Sequence, residues 1–185
     1  MSNSRNRRKH PEAVRREVLA ETARLLLEKG PAGVTLDAVS QAAGVSKGGL
    51  LHHFPNKLAL LDGLFDDLAH RFDQALAERM AADPVEKGRF TRAYIAVCFP
   101  AGGVAEGEEG WKALTVAMIS EPHLRERLRS WVDGRAEVRA EAPLDALLVR
   151  YAVDGIWLSD LLGAPSMTPA QRAAMMERLI ALSPS

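Results

Sequence analysis

Residues 46 to 57 read SKGGLLHHFPNK, and this stretch gathers the side chains best suited to bind a polyanion. Lys47 can donate to guanine O6 or N7 in a major groove, or to a phosphate. His52 and His53 can reach phosphates. Ser46, Lys47, Gly48 and Gly49 would form the leading turn of a short helix, the part that faces base edges when such a helix enters a groove. Each of the two glycines costs on the order of 1 kcal/mol of helix stability relative to Ala. In return they let the backbone approach a duplex closely. Thr35 and Lys57 begin two other helices, and each can bind a phosphate on the flank of the groove.

Other chemistries fit these residues poorly. Gly44-Val45-Ser46-Lys47-Gly48 matches the G-x-S-x-G pattern of a hydrolase nucleophile, but that turn follows a strand, and here a helix precedes it. His52 and His53 are adjacent, so they diverge by about 100° on a helix and cannot form an i, i+4 metal pair. Cys98 has no Cys or His close in sequence. No catalytic residue, metal site or cofactor is therefore expected, and the protein is not read as an enzyme.

The elements that must position the stretch are legible around it. Thr35 to Ala43 forms an amphipathic helix with Leu36, Val39 and Ala43 on one side and Asp37, Ser40 and Gln41 on the other. Gly44 stops it, and Ser46 is a good N-cap for the next helix, whose Leu50 and Phe54 face the core. Helix, glycine turn, helix is the helix-turn-helix arrangement. A first helix starts at Pro11 and runs to about Glu28, burying Val14, Val18, Leu19, Leu25 and Leu26, widened by Leu27 and closed by Gly30 and Pro31. A fourth begins near Asn56 and Lys57, and the three- and four-residue spacing of Leu60, Leu61, Leu64, Phe65, Leu68, Phe72 and Leu76 makes it a long rod that Pro84 ends.

Beyond Pro84 only helices are predicted: Val85 to Phe99, Trp111 to Ser120, Pro122 to about Arg139, Leu144 to Leu162, and Thr168 to Leu182. A Gly-rich acidic loop spans Pro100 to Gly110. The class is all-α. At 185 residues with 47% apolar content the chain can bury a real core.

The formal net charge is zero but unevenly spread. Residues 1 to 57 carry ten Lys/Arg against five acids and the remainder 14 against 19, so the two parts stand at +5 and −5. A basic N-terminal part attracts phosphate and an acidic remainder turns away from it. Arg5, Arg7, Arg8 and Lys9 in residues 1–10 form either a flexible arm lying on DNA or a solvated tail. The single cysteine, and the lack of a signal peptide or membrane span, point to the cytoplasm.

Residues 12 to about 60 resemble the N-terminal domain of the tetracycline-repressor (TetR) family of bacterial transcription regulators. The resemblance rests on the long first helix ending in Gly30, the TLDAVSQAAGVS run from Thr35 to Ser46, and the KGGLLHHFPNK run from Lys47 to Lys57. It implies an N-terminal three-helix helix-turn-helix DNA-binding domain (11–57, after the arm at 1–10). A long helix would join this to a helical effector-binding and dimerisation domain (58–185). Family members often carry Thr at the position of Gly49 and Tyr at that of Leu51. The contacts assigned to those positions cannot be made here, which puts more weight on Lys47, His52, His53 and Lys57.

The resemblance also implies an effector pocket among the later helices, for an apolar or amphiphilic small molecule. Phe72, Phe90, Tyr94, Cys98 and Trp111 are candidates for its lining, with Met118, Trp131, Asp154 and Trp157. Each taken alone is by default a core residue. Asp154 sits in a nearly apolar helix and, if buried, needs a partner, which could be Arg150, a buried hydroxyl or a cationic ligand. Tyr151, Leu158, Leu161 and Leu162, with Met175, Met176 and Leu179 of the last helix, resemble the family's dimer interface, a four-helix bundle with two helices from each subunit. The function implied is a homodimeric transcriptional repressor that binds a pseudo-palindromic operator and responds to an effector. The alternative is a helical small-molecule-binding or dimerisation protein whose DNA-binding head is vestigial.

Overall fold

The structure, a computed structural model, describes residues 11–99, 107–135, 144–164 and 167–183. The expected arm at 1–10, most of the acidic loop, and the expected end of the seventh helix near Arg139 lie outside the described residues. Among those described there are nine helices and no strand: α1 Pro11–Gly33, α2 Leu36–Ala42, α3 Lys47–His53, α4 Lys57–Ala82, α5 Arg89–Cys98, α6 Glu108–Ser120, α7 Pro122–Asp133, α8 Leu144–Leu161 and α9 Pro169–Ala181. They fall into two units. One comprises residues 11–67 with 109–125, the other the remainder, so α4 contributes to both by continuity of the chain. That α6 and the start of α7 belong with the N-terminal helices was not visible in the sequence.

In the first unit, α1 buries Val18, Leu19, Thr22, Ala23, Leu25 and Leu26. These positions follow the three- and four-residue rhythm of one helix face. Leu27, expected to widen that face, is instead exposed, because it lies one residue past the stripe. Thr22 is buried without cost to its hydroxyl, which donates to Val18 O at 2.7 Å. Gly30 takes φ 67°, outside the helical region, and the chain bends there before the last turn, Pro31 to Gly33. α2 packs on α1, and α3 on α2. Ser40, expected on the solvent side of α2, is buried, and its hydroxyl donates to Asp37 O at 2.9 Å. Below them Leu60, Leu61, Leu64 and Phe65 of α4 and Ala113, Leu114, Ala117 and Met118 of α6 are buried. Full burial of one such Leu contributes about 1.5–3 kcal/mol.

In the second unit α5 packs on α8 and α9. Ile95, Phe99, Val149, Val153 and Leu179 form its core, with Tyr94, Cys98, Ile156 and Met176 against it. Helix α5 starts at Arg89, four residues later than expected. Gly88 sits at φ 75°, and Arg92 clasps the preceding turn: its Nε lies 2.7 Å from Asp83 Oδ2 and its Nη2 donates to Val85 O at 2.6 Å. Asp83 also accepts from Val85 N at 2.9 Å, and the Arg92 bond leads in holding its carboxyl below the usual range. The carbonyls that would continue α5 toward its N-terminus are thus already engaged. α9 opens on a capping box. Thr168 Oγ1 accepts from Gln171 N at 3.2 Å, and Gln171 Oε1 accepts from Thr168 N at 2.9 Å, with Pro169 in the first turn.

Candidate nucleic-acid interface

Two caps fix the segment expected to read DNA. Thr35 Oγ1 accepts from Ala38 N at 3.1 Å and starts α2; Ser46 Oγ accepts from Gly49 N at 3.1 Å and starts α3. Between them Gly44 turns the chain at φ 62°, and Val45 N donates to Ser40 O at 3.0 Å. The inner side of α3 is anchored by Leu50, which is fully buried, and the chain leaves the helix through Phe54, also buried. Phe54 is held from two sides. The Arg15 guanidinium lies 5.8 Å from its ring centroid, and Gly63 of α4 passes so close that a Cβ there would stand 2.4 Å from the ring. Helical pattern alone gives Gly63 no such role.

This anchoring leaves Ser46, Lys47, Gly48, Gly49, Leu51 and His52 on the exposed side, with His53 half-buried. The two imidazoles meet edge to face, with centroids 5.6 Å apart. A Cβ on Gly48 would meet nothing within 4 Å, so nothing inside the chain demands glycine at that position. A Cβ on Gly49 would come 3.1 Å from the Ser46 cap oxygen. Lys47 Nζ pairs with Asp37 Oδ1 of α2 at 2.8 Å. Lys57 is turned toward the protein. Its Nζ donates to Pro31 O at 2.7 Å and lies 3.4 Å from Glu121 Oε1, so two of its three donor directions serve the joint between α1, α4 and the α6–α7 corner.

The second unit gathers most of the residues expected around an effector. Phe72 meets Tyr94 and Trp131 edge to face, at 6.1 and 5.5 Å between centroids, and Phe90 stacks on Tyr94 at 6.3 Å. The Tyr94 hydroxyl donates to Asp154 Oδ1 and lies within hydrogen-bonding reach of Cys98. Of the partners open to Asp154, the hydroxyl is the one found, and Arg150 acts on it only through its charge. Partial desolvation of its carboxyl, though the residue as a whole is exposed, raises Asp154 above its usual value, against the Tyr94 bond and the Arg150 charge. Burial also pushes Tyr94 up and the Cys98 thiol up to about 12. Cys98 is therefore a neutral thiol at ordinary pH and a poor nucleophile.

Two residues that the sequence did not mark complete this cluster. The Arg135 guanidinium lies 3.8 Å from the Trp131 ring centroid and 5.1 Å from that of Phe72, and pairs with Asp73. Trp131 Nε1 donates to Asp73 Oδ2 at 3.0 Å.

Trp111 and Met118 belong to the first unit, where Trp111 packs edge to face on Phe65 at 6.2 Å and Met118 is buried. Trp157 is half-buried on α8. Of the residues expected at a dimer interface, Tyr151, Leu158, Leu162 and Met175 are exposed, and Leu161 is half-buried. Leu179 is corrected to a core residue, since it is 3% exposed and packs with Ile95 and Val153 inside its own chain; Met176 packs against the same core. Among the described residues no group of His, Cys, Asp or Glu is placed to hold a metal, and no helix is long and apolar enough to cross a membrane.

Comparison with known proteins agrees with this geometry. Residues 18–64 match the family described as bacterial regulatory proteins, tetR family, and residues 88–184 match the tetracyclin repressor-like C-terminal domain. The chain is 30% identical to the transcriptional regulator EthR of Mycolicibacterium smegmatis over 64% of its own length, and it spans 56% of that relative. It is also 30% identical to the regulator BetI of Paraburkholderia xenovorans, over 85% of this chain and 87% of BetI. A solved TetR-family structure from Streptomyces coelicolor superposes with a TM-score of 0.65 at 26% identity, covering 93% of this chain and 99% of that one. On both its N-terminal and C-terminal matches, the chain belongs to the TetR family of bacterial regulatory proteins.

Proposed function

We propose that the chain is a cytoplasmic DNA-binding transcriptional repressor, not an enzyme, that binds a pseudo-palindromic operator as a homodimer and releases it on binding a small-molecule effector. One observation carries the reading. α3 is clamped on its inner side by Leu50, while Ser46, Lys47, Gly48, Gly49 and His52 face outward on a capped helix, and no internal packing requires glycine at Gly48. That is the arrangement a recognition helix needs. Polar donors stand on a rigid frame, and a bare backbone can come close to a base edge.

A stripe along α8 and the residue just after it supports the dimer. Leu144, Leu148, Tyr151, Gly155, Leu158 and Leu162 are all exposed and recur at alternating spacings of four and three residues. Two subunits joined there would present two recognition helices to half-sites about 34–36 Å apart. The aromatic cluster around Phe72, Tyr94 and Asp154 supports an effector site for an apolar or amphiphilic molecule with a polar group for Asp154. Because α4 belongs to both units, an effector that prefers the non-binding state would act through that helix on the spacing of the reading heads.

A mobility-shift titration with duplex DNA from the gene's own upstream region tests the proposal, against a random duplex at the same salt. Equal affinity for both would favour the second reading, a ligand-binding or dimerising protein with a vestigial head. That reading draws on Gly49 and Leu51, which occupy exposed positions of α3 with no hydrogen-bonding side chain.

A further inference from the structure

Lys47 Nζ stands 2.8 Å from Asp37 Oδ1, and the two side chains are 58% and 73% exposed. Asp37 lies in the first turn of α2 and Lys47 opens α3, so a carboxylate stands beside the most exposed cation of the reading segment. So open a pair contributes little to folding, and a carboxylate beside a phosphate surface lowers affinity for it. An Asp in the first turn suits the α2 dipole, but stability does not account for its pairing with Lys47.

The chemistry of the ammonium does. It has three donor hydrogens. Asp37 takes one and offsets the charge, which removes much of what Lys47 would gain from any phosphate whatever the sequence. The two remaining hydrogens point away from Asp37 and still match a base edge that offers two neighbouring acceptors, such as guanine O6 and N7. We propose that Asp37 is a positioning residue that sets selectivity: by holding Lys47 it suppresses sequence-independent phosphate attraction and reserves the ammonium for a guanine edge. This rests on the DNA-reading role of α3 argued above.

The test uses the full chain and two duplexes, one selected from a randomised pool by the wild-type protein and one scrambled at the same composition. Binding is followed by fluorescence anisotropy over a salt series. For Asp37→Asn, the scrambled duplex should bind about two- to fivefold more tightly, with a salt slope steeper by about 0.9. The selected duplex should gain nothing, so the ratio of affinities falls. With Lys47→Met already in place, Asp37→Asn should change both duplexes by the same factor. An unchanged thermal transition shows that the variants are folded. If Asp37→Asn alone tightens both duplexes equally, or alters neither, the inference is overturned. A wild-type protein that selects no sequence from the pool overturns the DNA-reading role itself, and that result is distinct because it precedes any variant.

Discussion

Gly63 of α4 lies directly against the ring of Phe54: a Cβ at Gly63 would stand 2.4 Å from Cε1 and 3.3 Å from Cδ1 and Cζ. Phe54 is the last anchor of the recognition segment and is itself buried, so the contact seats α3's exit on α4. Gly63→Ala should force the ring aside and destabilise the protein by about 1–3 kcal/mol. Urea denaturation checks this, and an unchanged midpoint would show that Phe54 moves freely.

Gly48 is the opposite case. A Cβ there meets open space, so Gly48→Ala should stabilise α3, by about 0.5–1 kcal/mol, while weakening DNA binding because the added methyl stands between backbone and duplex. A variant that is both more stable and binds DNA as well as wild type would remove close backbone approach from the account.

The two lysines at the ends of the reading segment should separate in the same pair of assays. Lys57→Met breaks the bond to Pro31 O and the pair with Glu121, and its main effect should be a stability loss of about 1–2 kcal/mol. Lys47→Met touches only an exposed pair and should leave stability within about 0.5 kcal/mol while lowering affinity for the selected DNA.

How much of this was legible beforehand depended on distance along the chain. Leu50, Val39 and the cap at Ser46 follow from spacing and residue type within a few positions, whereas the Thr35 cap emerged only from the structure. The Lys57–Pro31 bond spans 26 residues and the Tyr94–Asp154 bond 60. No local pattern encodes either, although the apolar helix singled out Asp154 as a residue that would need a partner if buried. Gly63 went unread because a glycine inside a helix looks like a mere weakness until the ring opposite is known. Leu179 was placed at an interface by resemblance to the family's four-helix bundle, and only packing shows that the chain keeps it for its own core.

Asp154 offers a pH test. Partial desolvation raises its carboxyl above the usual value near about 4, so the folded state holds the proton more tightly than the unfolded chain. The stability this contributes is complete below the unfolded pKa and is lost as pH rises through the folded one. Asp154→Asn keeps an acceptor for Tyr94 and cannot ionise. It should melt higher than wild type at neutral pH, with the difference closing below about pH 4. A difference constant across that range would mean that the carboxylate carries no burial penalty.

On α8, Leu158 is 45% exposed, whereas Leu179 on α9 is 3% exposed. Leu158→Glu should leave the fold intact and shift a dimer to monomer in sedimentation equilibrium. Leu179→Glu should instead unfold the second unit, since it places a charge in the core. Two folded, fully dimeric variants would contradict both assignments.

The central claim is that α3 reads sequence. Its most direct test is the ratio of affinities of the wild-type chain for its own upstream duplex and for a random duplex, titrated at one physiological salt concentration. The account predicts binding at least about 10³-fold tighter to the upstream duplex; equal affinity for the two would contradict it.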